Sequence, residues 1–130
     1  MYRLQVKTHF DAAHSLRDYE GKCRRMHGHR WDVEICLQGK ELRDGNMLVD
    51  FAWLKRKLNE LLETYCDHYC LNDSLHEANP TAEFLAKWLF DEFVSHCSAI
   101  VAGVELVRTC VWESPDCCVK YSPDMESVNG

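Results

Sequence analysis

No stretch of this chain approaches the roughly 20 consecutive apolar residues that a membrane-spanning helix needs. The longest apolar run, Ala99-Ile-Val-Ala-Gly-Val104, has the length of a strand. The opening residues, Met1-Tyr-Arg-Leu-Gln-Val-Lys7, alternate polar and apolar side chains without the hydrophobic segment of a signal peptide, so neither leader nor membrane anchor is expected. Basic residues are in short supply: 15 Lys and Arg against 21 Asp and Glu give a net charge of −6. Neutralising a polyphosphate backbone needs the reverse, which argues against a nonspecific nucleic-acid binder and leaves room only for a local anion site. No Cys-x-x-Cys pair, internal repeat or low-complexity tract occurs. The usual marks of a thiol-redox pair or a repeat architecture are therefore missing.

What remains is an ordinary globular composition, 46% hydrophobic and 28% charged over 130 residues, enough for one domain with one core. We expect a single catalytic domain over residues 1–122 and a polar tail over 123–130. Cysteine alone is abundant, at positions 23, 36, 66, 70, 97, 110, 117 and 118. Without an export signal these read as thiols in a reducing cytoplasm, and Cys36, Cys66, Cys97 and Cys110, which lie in apolar-patterned segments, as small buried hydrophobes.

Periodicity gives the elements. Tyr2, Leu4, Val6 and Phe10 share one face of a first strand, and Trp31, Val33, Ile35 and Leu37 one face of a second. Asp44-Gly45-Asn46 marks a turn, and Met47-Leu48-Val49 a short extended stretch. From Phe51 the period changes to that of a helix: Phe51, Leu54, Leu58, Leu61, Leu62 and Tyr65 form a stripe, with Asp50 as N-cap. A second helix is expected from Asn79-Pro80, with Pro80 at the first helical position and Phe84, Leu85, Trp88, Leu89 and Phe93 as its stripe. Alternation resumes from Val104 through Leu106 to Trp112, with Val107 and Val111 on the opposite face, so this strand should be covered on both faces. A last strand spans Cys118 to Tyr121. The order ββααββ predicts an α+β fold: a four-stranded antiparallel sheet with two helices between strands two and three. Its open edges invite oligomerisation by sheet extension.

The chemistry concentrates between His14 and His29. Residues i and i+2 of a strand point the same way, so His27 and His29 present paired imidazoles, with Gly28 relieving crowding between them. His14, ending the neighbouring strand, can meet them. Three imidazoles with an open fourth position make a catalytic zinc site, and zinc is preferred to iron because no carboxylate stands with the trio. Cys23 lies four residues before His27 among Lys22, Arg24 and Arg25, surroundings that favour a thiolate. It is a candidate nucleophile or general base, with a fourth metal ligand or an inert surface thiol as alternatives. Asp67-His68 is a carboxylate–imidazole pair, provided the backbone bends there; otherwise it is a polar interhelix loop. Glu113, at a strand end, could accept paired hydrogen bonds from an amidine-like edge or be a plain surface charge.

Together, Phe10-Asp-Ala-Ala-His14, Gly21-Lys-Cys23, His27-Gly-His29, Val49-Asp-Phe51, Asp67-His68, Leu71-Asn72, Pro80-Thr-Ala-Glu83 and Glu113 resemble the 6-pyruvoyltetrahydropterin synthase family, from Tyr2 to about Tyr121. The compact Cys-x-x-x-His-Gly-His spacing is most similar to its bacterial 6-carboxytetrahydropterin synthase branch, of queuosine biosynthesis; the animal, pyruvoyl-forming enzymes carry a longer insertion there. The resemblance implies a tunnelling fold whose sheets join into a barrel-like trimer, two trimers stacking into a homohexamer. It implies Zn2+ on His14, His27 and His29, Cys23 as catalytic thiol, Asp67 and His68 as a second proton-transfer pair, and Glu113 as pterin anchor. The substrate implied is 7,8-dihydroneopterin triphosphate. Trp31 stands where relatives often carry Tyr. A pyruvoyl-forming enzyme and a noncatalytic zinc- or pterin-binding module are the alternatives.

Overall fold

The period-2 pattern of the first strand runs four residues further than its apolar side chains suggest. In the computed structural model, which describes residues 1–97 and 102–124, strand β1 spans Tyr2–His14 and strand β2 spans His27–Gly39. Residues 99–101 of the apolar run and 125–130 of the expected tail lie outside the described residues. The two strands pair antiparallel in unbroken register, from Tyr2 opposite Gly39 to His14 opposite His27. Even residues of β1 (Val6, Phe10, Ala12, His14) and odd residues of β2 (Trp31, Val33, Ile35, Leu37) are buried on one face. Strands β3 (Val104–Ser114) and β4 (Cys117–Tyr121) complete a four-stranded antiparallel sheet in the order β1-β2-β3-β4.

Helix α1 (Phe51–Tyr65) begins where Asp50 was expected to cap it, and the Asp50 carboxylate accepts from the Ala52 N–H at 2.9 Å. It buries Leu54, Leu58, Leu61 and Leu62 in the core, while Phe51 and Tyr65, at the ends of the expected stripe, are exposed. A one-turn helix α2 (Leu71–Ser74), too short to show a period, was not anticipated. Helix α3 (Ala82–His96) starts two residues later than expected: Thr81 is the N-cap, its hydroxyl accepting from the Phe84 N–H at 3.1 Å. A threonine hydroxyl satisfies an orphan N–H that proline cannot, so Pro80 sits outside the helix with its carbonyl available to another partner. Leu85, Ala86, Leu89, Phe90 and Phe93 of α3 join α1 and the inner sheet face in one core. Each fully buried Leu or Phe contributes roughly 1.5–3 kcal/mol.

β3 corrects a second expectation. Leu106 pairs with Leu37, but Arg108 pairs with Cys36, so the register slips at Val107. The extra residue reverses the phase. Thr109 and Val111 therefore face the helices, whereas Cys110 and Trp112 face away, with the Lys7 ammonium 4.4 Å from the centre of the Trp112 ring. The middle of β3 is buried on both faces as expected, Thr109 and Val111 under the helices and Arg108 and Cys110 on the opposite side, although both long helices pack on the core face. Asp44-Gly45-Asn46 forms the expected turn, with positive φ at Gly45 and Asn46, but Met47 only bridges back to Arg43 and Leu48-Val49 is bent rather than extended.

Thr109 is fully buried, and its hydroxyl donates to the Ala86 carbonyl of α3 at 2.6 Å. Thr109→Val keeps the shape and deletes the bond. Urea unfolding should show a loss of about 0.5–1.5 kcal/mol, with divalent-metal affinity unchanged because the site lies elsewhere.

Candidate metal centre and active site

The three histidines continue the apolar face of the sheet. Phe10 pairs with Trp31, Ala12 with His29, and His14 with His27, so strand parity carries all three imidazoles to the side where the core lies. Their ring centroids are 4.6, 4.8 and 5.1 Å apart, with planes inclined by 60–88°. One nitrogen from each lies within 4.8 Å of the others. Trp31, fully buried, forms the floor, its ring edge-on to His14 at 4.9 Å and to His29 at 5.3 Å.

The hydrogen bonds fix which nitrogen is offered. His14 Nδ1 lies 2.9 Å from the Pro80 carbonyl and His27 Nδ1 2.6 Å from the Arg25 carbonyl. A carbonyl only accepts, so both Nδ1 atoms carry the proton and both Nε2 lone pairs are free, as in metal-binding histidines, whose other ring nitrogen donates to a carbonyl or carboxylate. Nε2 of His14 and of His29 are buried without a hydrogen-bond partner, a cost that metal ligation would remove. Burial, foremost, holds the His14 and His29 imidazoles below the ordinary histidine value, with the neighbouring His27 adding to the effect. They are thus kept neutral, as a ligand must be. The donor set fits a borderline-soft divalent cation with open coordination positions.

The remaining candidates surround this trio. Cys23, half-buried, sits on a single 3-10 turn, Lys22–Arg24. Gly21 enters the turn at φ 120°, a conformation other residues resist, and the Leu16 N–H bonds the Cys23 carbonyl at 2.8 Å. The same loop ends in the Arg25 carbonyl that orients His27. The converging ligand group contains the three histidines and not Cys23, so the fourth-ligand alternative gains no support. The bend required at Asp67-His68 is present: His68 has φ 63°, and its Nδ1 lies 3.0 Å from the Asp67 carboxylate. The pair is pinned to the edge of β1, the Asp67 carboxylate accepting from the Asp11 N–H at 3.0 Å and the His68 N–H donating to the Asp11 carbonyl at 2.7 Å. A cavity of about 580 Å³ is lined by His29, Gly28, His68 and Cys70 among others. Glu113 follows Val111 onto the inner face, and its carboxylate lies 3.5 Å from His29 Nε2. A carboxylate therefore does stand beside the trio, contrary to expectation, because the bulge in β3 turned it inward.

Comparison with known proteins agrees with this geometry. The sequence model of the 6-pyruvoyl tetrahydropterin synthase family matches residues 3–124. This chain belongs to that family. A 6-carboxy-5,6,7,8-tetrahydropterin synthase of Synechocystis is 36% identical over 114 residues, covering 85% of this chain and 88% of its own. Its counterpart in Bacillus subtilis is 33% identical over 138 residues, covering 99% and 90%. Among solved structures, the Caenorhabditis elegans 6-pyruvoyl tetrahydropterin synthase superposes with a TM-score of 0.81 at 24% identity, covering 95% of this chain and 96% of that one. This chain shares its fold, the tunnelling fold of the pterin synthases.

Several features of this synthase-family site lay beyond sequence reasoning. The Pro80 and Arg25 carbonyls are main-chain groups and leave no residue-type signal. Asn72, buried beneath the loop after β1, stands in the Leu71-Asn72 stretch, but a lone Asn carries no sequence signal of the bonds it makes. Gly28 is not explained by crowding: a Cβ there would meet nothing nearer than the Ala12 carbonyl at 4.0 Å. Gly39 is the tight position instead, where a Cβ would fall 2.9 Å from the Gly103 carbonyl and 2.6 Å from Leu48. No disulfide joins the eight cysteines. Cys36, Cys66, Cys97 and Cys110 are buried as expected, and burial pushes the Cys110 thiol up to about 11 and raises those of Cys66 and Cys97. These are packing residues, not reactive thiols.

Because His14 and His29 are held neutral in the folded protein, the unfolded chain binds more protons once the pH falls below the ordinary histidine value, about 6.5. Stability of the metal-free protein is then full above that value and declines below it. Urea titrations between pH 7.5 and 5 should show this fall, and it should be smaller in His14→Gln; a flat profile contradicts the assignment.

Proposed function

We propose that this chain is a zinc-dependent 6-carboxy-5,6,7,8-tetrahydropterin synthase. It converts 7,8-dihydroneopterin triphosphate into 6-carboxytetrahydropterin with release of acetaldehyde and triphosphate, a step towards queuosine. The observation that carries the reading is the trio of His14, His27 and His29, two with Nδ1 engaged by backbone carbonyls, in a chain 36% and 33% identical to two synthases of that name.

In this reading His14, His27 and His29 hold the zinc ion. Zinc bound there acts as a Lewis acid, lowering the pKa of substrate hydroxyls and of the neighbouring C–H bonds. Cys23, on a turn that also carries Lys22 and Arg24 and is followed by Arg25, serves as the base that moves protons at the side-chain carbons. Those same cations are candidates for the triphosphate. Asp67 orients the His68 imidazole through the 3.0 Å contact, so that His68 can donate or accept a proton as the second member of the proton-transfer machinery. Glu113 accepts paired hydrogen bonds from the amidine edge of the pterin and fixes the ring; positioning of this kind lowers barriers by up to roughly 7–11 kcal/mol in ideal cases. Residues 1–122 form the catalytic domain, with 123–130 as its tail, working in the reducing cytoplasm.

Subunits assemble as a homohexamer, a dimer of barrel-like trimers. The support is the topology: β1 and β4 are the edges of the sheet, and an unpaired edge is a template for another strand. The loop after α1 occupies the β1 edge only near Asp11 and Ala13.

The decisive assay is incubation of the zinc-loaded protein with 7,8-dihydroneopterin triphosphate, with products identified by mass spectrometry and acetaldehyde trapped. The expected products are 6-carboxytetrahydropterin and acetaldehyde. A 6-pyruvoyl product without acetaldehyde assigns the other branch, and absence of turnover with zinc bound and Cys23 reduced assigns a binding module. In the same assay Cys23→Ala should turn over about 10²–10⁴-fold more slowly while keeping its zinc by elemental analysis; loss of zinc would place the sulfur on the metal.

A further inference from the structure

We infer that Asn72 is a positioning residue of the metal centre, setting the direction in which His14 offers Nε2. The inference rests on the reading of His14, His27 and His29 as metal ligands. Asn72 is buried, 7% exposed, in the single turn of α2. Its Oδ1 accepts from the Ser15 N–H at 2.9 Å, and its Nδ2 donates to the Ser15 carbonyl at 2.9 Å and to the Ala78 carbonyl at 3.1 Å. Two carbonyls on one side and an N–H on the other admit only this orientation of the amide, with both of its protons used. The Cys70 thiol also approaches Oδ1, at 3.9 Å.

The two segments so joined are those that hold His14. Ser15 is the next residue in the chain, so Asn72 fixes the backbone from which the imidazole projects. Ala78 lies two residues before Pro80, whose carbonyl accepts the His14 Nδ1 proton at 2.9 Å. Ring and backbone of His14 are thereby tied to one side chain, closing a loop from His14 through Pro80, Ala78, Asn72 and Ser15 back to His14. His14 is itself fully buried, so water cannot replace these bonds. An outer partner that orients a ligand in this way typically accounts for about 10–100-fold in metal affinity.

Asn72→Asp tests this with little change of shape. It keeps an acceptor for the Ser15 N–H but turns a carboxylate oxygen towards two carbonyls. Zinc affinity, by competition with a chromophoric chelator, should fall about 10–100-fold, and the His14 Nδ1–H resonance of the metal-free protein should shift or exchange away. Thr109→Val, which removes a buried hydrogen bond of the α3–β3 contact, is the control: it should lose stability yet bind zinc like the parent. Unchanged affinity or an unmoved His14 resonance in Asn72→Asp overturns the inference, as does an equal loss of affinity in Thr109→Val. A measurement on the unaltered protein stands even if Asn72→Asp does not fold. Both Asn72 side-chain amide protons should exchange slowly without metal and keep their shifts when zinc is added; rapid exchange overturns the inference. A parent that binds no zinc overturns the metal reading and this inference with it, and is told apart because the His14 and Asn72 signals are read without metal.

Discussion

The antiparallel pairing of β1 with β2 is the constraint on which the rest hangs. It holds unbroken for thirteen residue pairs, and side chains alternate with period 2, so the register that buries Phe10 against Trp31 also puts His14 beside His27 and His29. A slip of one residue would carry the imidazoles to the far face together with the core. Core and ligand trio are thus specified by the same hydrogen bonds, and the folding energy of one maintains the geometry of the other. The trio adds a cost, two buried Nε2 atoms without a hydrogen-bond partner, which metal ligation would remove.

Much of this was legible in the sequence because it depends on period. The strands, α1 with its Asp50 cap, the convergence of the three histidines and the burial of four cysteines follow from spacing and residue type. What was not legible depends on backbone or on a single inserted residue. Proline was expected to open α3 and instead stands outside it, because Thr81 offers a hydroxyl to an orphan N–H. The alternation of β3 was read through Val107 without a break, since nothing in a Val-Arg-Thr-Cys run marks a bulge. Glu113 was recognised as a strand-end acid, but its approach to His29 was hidden with the bulge. The bend at His68 was stated as a requirement, and the positive φ meets it.

The candidate metal ligands and the candidate proton-transfer groups are supported by different parts of the chain. The trio rests on the sheet and on carbonyls of the two loops that flank it. Asp67-His68 rests on the edge of β1, held by the main chain of Asp11. Cys23 rides a turn whose only described tether to the strand end is the bond between Leu16 and its own carbonyl.

The bulge in β3 has a consequence for how such a chain tolerates insertions and deletions. Val107 lies near the start of the strand, far along it from Glu113, yet the slip there keeps the downstream residues, that carboxylate included, in phase with β2. The bulge absorbs the extra residue: Leu106 pairs with Leu37, Arg108 with Cys36 and Thr109 with Ile35, so a deletion that only erased the bulge would leave Val111 and Glu113 on the core face, whereas one beyond it would shift Glu113 against its partners. Point substitutions along this strand act locally, whereas a one-residue deletion beyond the bulge acts as a frameshift in space.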